Sequence, residues 1–176
     1  MKKIIFKSIL ITVLLIMALS CSNNNDNDTP NIDDTFLTAK VDGVDFEVRG
    51  SLFAVTTNIS GITSTSMGAT YDDESKTITM GITNLNNTGT GTYPLFDASI
   101  HDAQTSPYTS TLIYGEGDIG WYATFFQGNV SGTITITALD TNYVFGTFHF
   151  IGFDIDSQTE KNITEGAFKF KRLQTN

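Results

Sequence analysis

The period of the hydrophobic pattern constrains this chain more than any other feature. From Ser131 to Ala138 the residues alternate strictly, with Ile134, Ile136 and Ala138 on one side and Thr133, Thr135 and Thr137 on the other. A repeat of two suits a strand with one buried face, whereas a helix needs a repeat of about 3.6 to gather its apolar residues on one side. The same alternation sets Val44, Phe46 and Val48 against Asp45 and Glu47, and Ile78, Met80 and Ile82 against Thr77, Thr79, Gly81 and Thr83. From Thr35 onward no segment holds a helical period. Turn residues punctuate the pattern. Asp42-Gly43, a pair favoured in type I′ turns, joins Phe36–Val41 to Val44–Val48 as a hairpin. The run Asp72-Asp73-Glu74-Ser75-Lys76 separates Ile62–Tyr71 from Thr77–Thr83, and Gly115-Glu116-Gly117-Asp118 separates Thr109–Tyr114 from Gly120–Phe126. Ser51–Thr57 and Ile163–Leu173 complete the set, Asn84–Thr92 reads as a loop, and residues 97–108 fit a short helix or a long loop equally. Tyr143–Phe153 is apolar on both faces, which predicts a central strand covered on both sides. About nine or ten strands at this spacing predict an all-β domain over residues 35–176, a single antiparallel β-sandwich or a partly closed β-barrel.

The N-terminus has a different character. Lys2, Lys3 and Lys7 precede an almost continuously apolar run from Ile9 to Leu19. A run of about eleven residues is too short for a membrane span, which needs about 20, but suits the core of a secretory signal. It ends in Ala18-Leu19-Ser20-Cys21, and Cys21 is the only cysteine in the chain. The arrangement resembles the bacterial lipobox, with Ala18 where that pattern usually carries leucine. The resemblance implies diacylglyceryl transfer to the Cys21 thiol, cleavage before Cys21 and acylation of the new N-terminus, so residues 1–20 are expected to be a lipoprotein signal peptide. Residues 21–34 are then the lipidated N-terminus and a disordered tether, because their Asn, Asp and Pro content buries no apolar area. Fully extended, that tether reaches roughly 40 Å. Acids soon after the cysteine resemble the surface-export signals of Bacteroidetes lipoproteins. Asparagines interrupt them here, which leaves both the cell surface and the periplasmic face of the outer membrane open.

Charge narrows the partners. The chain has 19 acidic and 10 basic residues, and three of the bases lie in residues 1–20. From Cys21 onward seven bases stand against nineteen acids, a net −12. Such a surface cannot neutralise a row of phosphates, so nucleic acid is not an expected partner. The membrane, reached through lipid on Cys21, is. A lone cysteine excludes an intramolecular disulfide framework, and two histidines leave little scope for a Cys/His zinc cluster. No cofactor is expected.

Two further stretches carry a resemblance. Leu37-Thr38-Ala39-Lys40-Val41-Asp42-Gly43-Val44-Asp45-Phe46 near the start is similar to small Bacteroidetes lipoproteins of unknown function. So are Ser131–Thr137, Gly146-Thr147-Phe148-His149-Phe150 and Ile163-Thr164-Glu165-Gly166-Ala167-Phe168 near the end. The resemblance spans both ends of the domain and not its middle. It implies a fold and an envelope location, and no reaction.

The residues that carry chemistry are sparse. A Ser-His-Asp site would have to use His101 or His149, and the chain has no Gly-x-Ser-x-Gly elbow. His149 sits in a strand between Phe148 and Phe150, the setting of a hydrogen-bonded core or face histidine, and His101 lies beside Asp102 in the ambiguous segment. Asp154-x-Asp156 is read as a solvated turn in preference to a calcium site. No catalytic residue and no metal ligand is assigned. The aromatic cluster around Tyr108, Tyr114, Trp121 and Tyr122 attracts more interest, because Trp and Tyr stack on sugars and dock partners. Alternation puts Trp121, Ala123 and Phe125 on one face, the pattern of a core, and the ligand-binding candidates are Tyr108, Trp121 and Tyr122. The expected function is a non-catalytic, lipid-anchored envelope protein with a binding or structural role and a protein or glycan partner. The alternative is a glycan-binding accessory lipoprotein using surface aromatics, followed by a small envelope hydrolase.

Overall fold

The computed structural model describes residues 34–59, 61–71, 73–85, 89–95, 109–123 and 131–174. The chain divides into residues 1–31 and residues 32–176, and every described residue belongs to the second unit. That unit is all-β. Its strands are β1 (Phe36–Val41), β2 (Val44–Arg49), β3 (Phe53–Ile59), β4 (Ile62–Thr70), β5 (Lys76–Thr83), β6 (Gly91–Pro94), β7 (Ser110–Glu116), β8 (Ile119–Tyr122), β9 (Ser131–Leu139), β10 (Tyr143–Asp154) and β11 (Thr159–Gln174). The eleven described strands exceed the expected nine or ten; β6 falls where the sequence reads mostly as loop.

The strands form two runs of neighbours, β6-β9-β10-β11-β1-β2 and β3-β4-β5-β7-β8. The runs join twice. The end of β11, Lys171 to Gln174, pairs with Phe53 to Thr56 of β3, and Phe153 near the end of β10 pairs with Tyr122 of β8. Since β10 and β11 are antiparallel, with Tyr143 opposite Lys171 and Asp154 opposite Thr159, the two joins lie at opposite ends of that pair. Seven strands thereby close into a ring, while β1–β2 and β9–β6 extend beyond it. The β3–β11 ladder is parallel, so the sheet is mixed where antiparallel pairing was expected throughout. Parallel neighbours cannot be joined by a hairpin, and here the intervening strands carry the chain around the ring from β3 to β11.

Inward residues of both runs make one core, with Leu37, Ile78, Leu112, Phe150 and Phe170 all 1% exposed or less. Two departures from strict alternation follow from bulges. In β9, Phe145 faces Ala138 while Gly146 faces Ile136, so Thr137 is an extra residue. The bulge turns Ala138 outward and exposed, although Ile134 and Ile136 are buried as the alternation requires. In β11, Phe148 of β10 faces Gly166 while Phe150 faces Ile163, and Thr38 and Lys40 of β1 see the same extra residue. Glu165 occupies the left-handed region there, at φ 52°.

The β10–β11 pair interlocks through glycine and phenylalanine. Gly146 faces Phe168 and Phe148 faces Gly166. A Cβ on Gly166 would lie 2.5 Å from the Phe148 carbonyl oxygen and 2.6 Å from its Cδ1. One on Gly146 would overlap the Thr135 carbonyl oxygen and the Phe168 ring. Each ring fills the space over the opposing glycine. The motifs Gly-Thr-Phe-His-Phe and Ile-Thr-Glu-Gly-Ala-Phe are therefore two halves of one steric device.

Strand β10 is central in its run, but its outer face is open, against the expectation that both faces are covered. Thr147 and His149 are exposed. The outward rings of Tyr143 and Phe145 are shielded by the Lys169 ammonium, 4.8 Å and 5.6 Å from their centroids, instead of by another layer. Lys169 also pairs with Asp34 at 2.7 Å, which fastens the last residue of the expected tether to the sheet.

The β1–β2 hairpin turns at Asp42 (φ 50°) and Gly43 (φ 82°), the conformation its Asp-Gly pair favours. The Asp42 carboxylate accepts hydrogen bonds from the Asn162 N–H and the Lys161 ammonium, each at 2.9 Å, and the first of these chiefly holds its pKa below the ordinary 3.8. Asp73, Asp140 and Asp154 are likewise lowered, by bonds from Ser75, from the N–H groups of Tyr143 and Asn142, and from Ser157. A lowered native pKa contributes stability above the unfolded value that is lost as the pH falls through the native one. The melting temperature is therefore expected to hold from pH 7 to about 5 and to fall between about pH 4 and 2. A melting temperature that stays level down to pH 2 in circular dichroism would show that these turn bonds do not stabilise the fold.

Candidate functional site

A groove runs along the free edge of β2. A two-residue turn makes Val41/Val44, Ala39/Phe46 and Leu37/Val48 the hydrogen-bonded pairs of the hairpin, so Asp45, Glu47 and Arg49 turn their N–H and C=O groups away from β1. Among the described residues no strand lies beside that edge. The opposite end of the strand order, β6, is blunted by its four-residue length and by Pro94, whose carbonyl accepts a bond from the Ser110 hydroxyl. At β2 the Glu47 N–H instead points to the Tyr71 hydroxyl at 3.4 Å. Tyr71 follows β4 directly, and its ring packs on Phe46 with centroids 4.7 Å apart.

Two cavities meet at Tyr71. The larger, about 490 Å³, is bounded by Glu47, Val48, Arg49, Tyr71 and Asp73. The smaller, about 170 Å³, runs beneath the β1–β2 turn toward Phe46, Tyr114, Glu116 and Lys161. Their charges are arranged in pairs. Glu47 pairs with Arg49, Lys161 with Asp42 at 2.9 Å, and Lys76 with Glu116 at 3.9 Å. The Tyr114 hydroxyl donates to Glu116 at 2.9 Å; burial first, and then that carboxylate, push the Tyr114 pKa well above its usual 10. Asp73 accepts from the Ser75 N–H at 2.9 Å and is held ionised. The groove thus combines an aromatic wall, fixed anionic acceptors, a guanidinium and a strand edge. Groups of that kind hold hydroxyls and amides; carboxyls with lowered pKa values accept hydrogen bonds and do not supply protons at neutral pH.

The residues singled out from the sequence are dispersed. Trp121 is 6% exposed, with its ring 5.6 Å from that of Tyr114 and its Nε1–H donating to Thr159 Oγ1 at 3.0 Å. Tyr122 is 47% exposed and lies on the other side of β8. Strand alternation puts these neighbours on opposite faces, so they do not share one platform. Tyr108, His101 and Cys21 lie outside the described residues. His149 is an exposed face histidine whose Nδ1 is 3.3 Å from Thr133 Oγ1. Among the described residues no three His, Cys, Asp or Glu side chains are grouped to hold a metal ion.

Tyr71, Glu47, Arg49 and Asp73 were not prominent in the sequence. Tyr71 precedes a charged turn, the usual place for a solvated end of a strand, and nothing in its spacing links it to β2. No family model, no curated protein and no solved structure matches the chain.

Proposed function

We propose that this chain is a non-catalytic, lipid-anchored protein of the bacterial outer membrane whose β domain has a binding or supporting role. The groove at Tyr71 carries the binding half: beside an aromatic wall it presents the Asp73 carboxylate, held ionised and oriented by Ser75. Cys21, one residue beyond the apolar run, carries the anchoring half. Two or three acyl chains at about 0.8 kcal/mol per buried CH₂ hold a protein on a membrane essentially permanently. Metabolic labelling with a fatty acid tests the anchor. The natural chain is expected to incorporate the label and Cys21→Ala to incorporate none; an unlabelled natural chain would refute lipidation.

A glycan is the second reading, favoured by the position of Tyr71 between Asp73 and the Glu47–Arg49 pair. Sugars present apolar C–H faces to aromatic rings and hydroxyls to carboxylates, and this wall offers both. Titration calorimetry against neutral saccharides is expected to give heat that Tyr71→Ala reduces at least about tenfold, the effect of losing a central aromatic contact. Binding unaffected by Tyr71→Ala would remove the groove from this reading.

A further inference from the structure

The outward side of β3, β4, β5, β7 and β8 carries no charged residue, in a chain with a formal net charge of −9. Register places Gly68, Thr79, Ile113 and Tyr122 in one row across β4, β5, β7 and β8. The row beside it runs through Ser66, Gly81 and Thr111. Apolar groups stand open along the face, with Phe53 38%, Ile62 58% and Tyr122 47% exposed. The face is also level. A Cβ on Gly81 would lie 2.9 Å from Thr111 Oγ1, and one on Gly120 would lie 2.9 Å from the Tyr122 ring, so those side chains extend over the glycine positions and fill them. Lys76 and Glu116, which belong to the same strands, turn inward to the Tyr71 cavities. The outer face of the other run is different: Lys40, Arg49, Glu47, Glu165 and Lys169 are spread over it.

We infer that this uncharged face is the contact between two copies of the chain. Two molecules each carrying −12 from Cys21 onward repel one another, and here they can approach over strands that place no charge on the contact, with Lys171, the register partner of Phe53, at its margin. The face shares with the fully buried part of an interface its lack of charged residues and its open aromatic groups, Phe53 and Tyr122. Strands about 4.8 Å apart with a rise of about 3.3 Å per residue give the face roughly 500 Å². Two copies then bury about 1,000 Å², the lower bound for a specific contact, which sets a reversible dimer instead of a permanent one. A closed pair uses the same patch on both molecules, so the two-fold axis passes close to the middle strand β5, near Thr79.

The test is thiol cross-linking of the full chain in intact cells, with Thr79→Cys and, separately, Thr111→Cys. Thr147→Cys, on the open outer face of β10, is the control, and the natural chain reports any product formed through Cys21. A short bis-maleimide is expected to join Thr79→Cys and Thr111→Cys chains into a species of twice the chain mass, with Thr147→Cys giving no more than the natural chain. Adding Ser66→Asp to Thr79→Cys places like charges across the contact and is expected to lower the yield at least about tenfold. Both face variants cross-linking no better than Thr147→Cys would overturn the proposal. So would a product whose mass is the chain plus a different molecule. Neither result bears on the Tyr71 groove or on lipidation, so failure here is distinct from failure of those proposals.

Discussion

Gly146→Ala is expected to lower the stability of the β domain by about 3 kcal/mol, at the upper end of what overpacking a core costs. The added methyl would overlap the Thr135 carbonyl oxygen and the Phe168 ring together, and it would stand 2.9 Å from Phe168 Cε1. Neither obstacle retreats readily. The carbonyl belongs to the bulged β9, and the ring is 1% exposed, packed 5.5 Å from Phe170 and 6.3 Å from Phe148. Urea denaturation should show a lower midpoint at unchanged slope. Phe168→Ala alone is expected to cost about 3–5 kcal/mol through the cavity it leaves. The double variant should cost less than the two together, because removing the ring makes room for the methyl. A coupling of at least about 1 kcal/mol is expected for residues in direct contact. Strictly additive losses would show that the ring and the glycine do not constrain each other. The same logic applies to Gly166 and Phe148 on the reciprocal diagonal.

Lys171→Pro should be the next most damaging of these changes, at about 2 kcal/mol, while Lys171→Ala should stay within about 0.5 kcal/mol. The Lys171 N–H donates to the Leu52 carbonyl at 3.0 Å, at the point where β11 passes from β1 to β3 and closes the ring. Proline removes that donor and leaves the carbonyl without its partner. Two antiparallel halves would remain, joined only through β8 and β10, where a single register pair links Phe153 and Tyr122. Hydrogen exchange should report the consequence locally, with β3 losing protection before β10 and β11. Equal stability of the proline and alanine variants would mean that the parallel ladder contributes nothing to holding the runs together.

The strand pattern was legible because each strand carries its own evidence. Ile78, Met80 and Ile82 are buried as their alternation requires, and Asp42-Gly43 makes the turn its residue types favour. Where the pattern misled, a neighbouring strand intervened. Ala138 continues the apolar side of β9 in sequence, yet the bulge at Thr137, set against β10, turns it outward. The two apolar faces of β10 suggested a covering layer, but on the outer face Lys169, from the neighbouring strand β11, takes that part. The aromatic pair Trp121 and Tyr122 looked like a platform because the residues adjoin in sequence, and alternation divides them for the same reason.

By itself the sequence determined the strand class, the hairpin at Asp42-Gly43, the acidic balance and the placement of Cys21 behind an apolar run, since each depends on residues close together in the chain. Tertiary structure decided the rest. The parallel closure of β3 on β11, the meeting of Tyr71 with the edge of β2, and the gathering of uncharged residues from five strands onto one face all depend on register between strands distant in sequence. Register follows from the packing of the whole core, where Gly146 admits Phe168 and Gly166 admits Phe148, and no local stretch of residues contains that information.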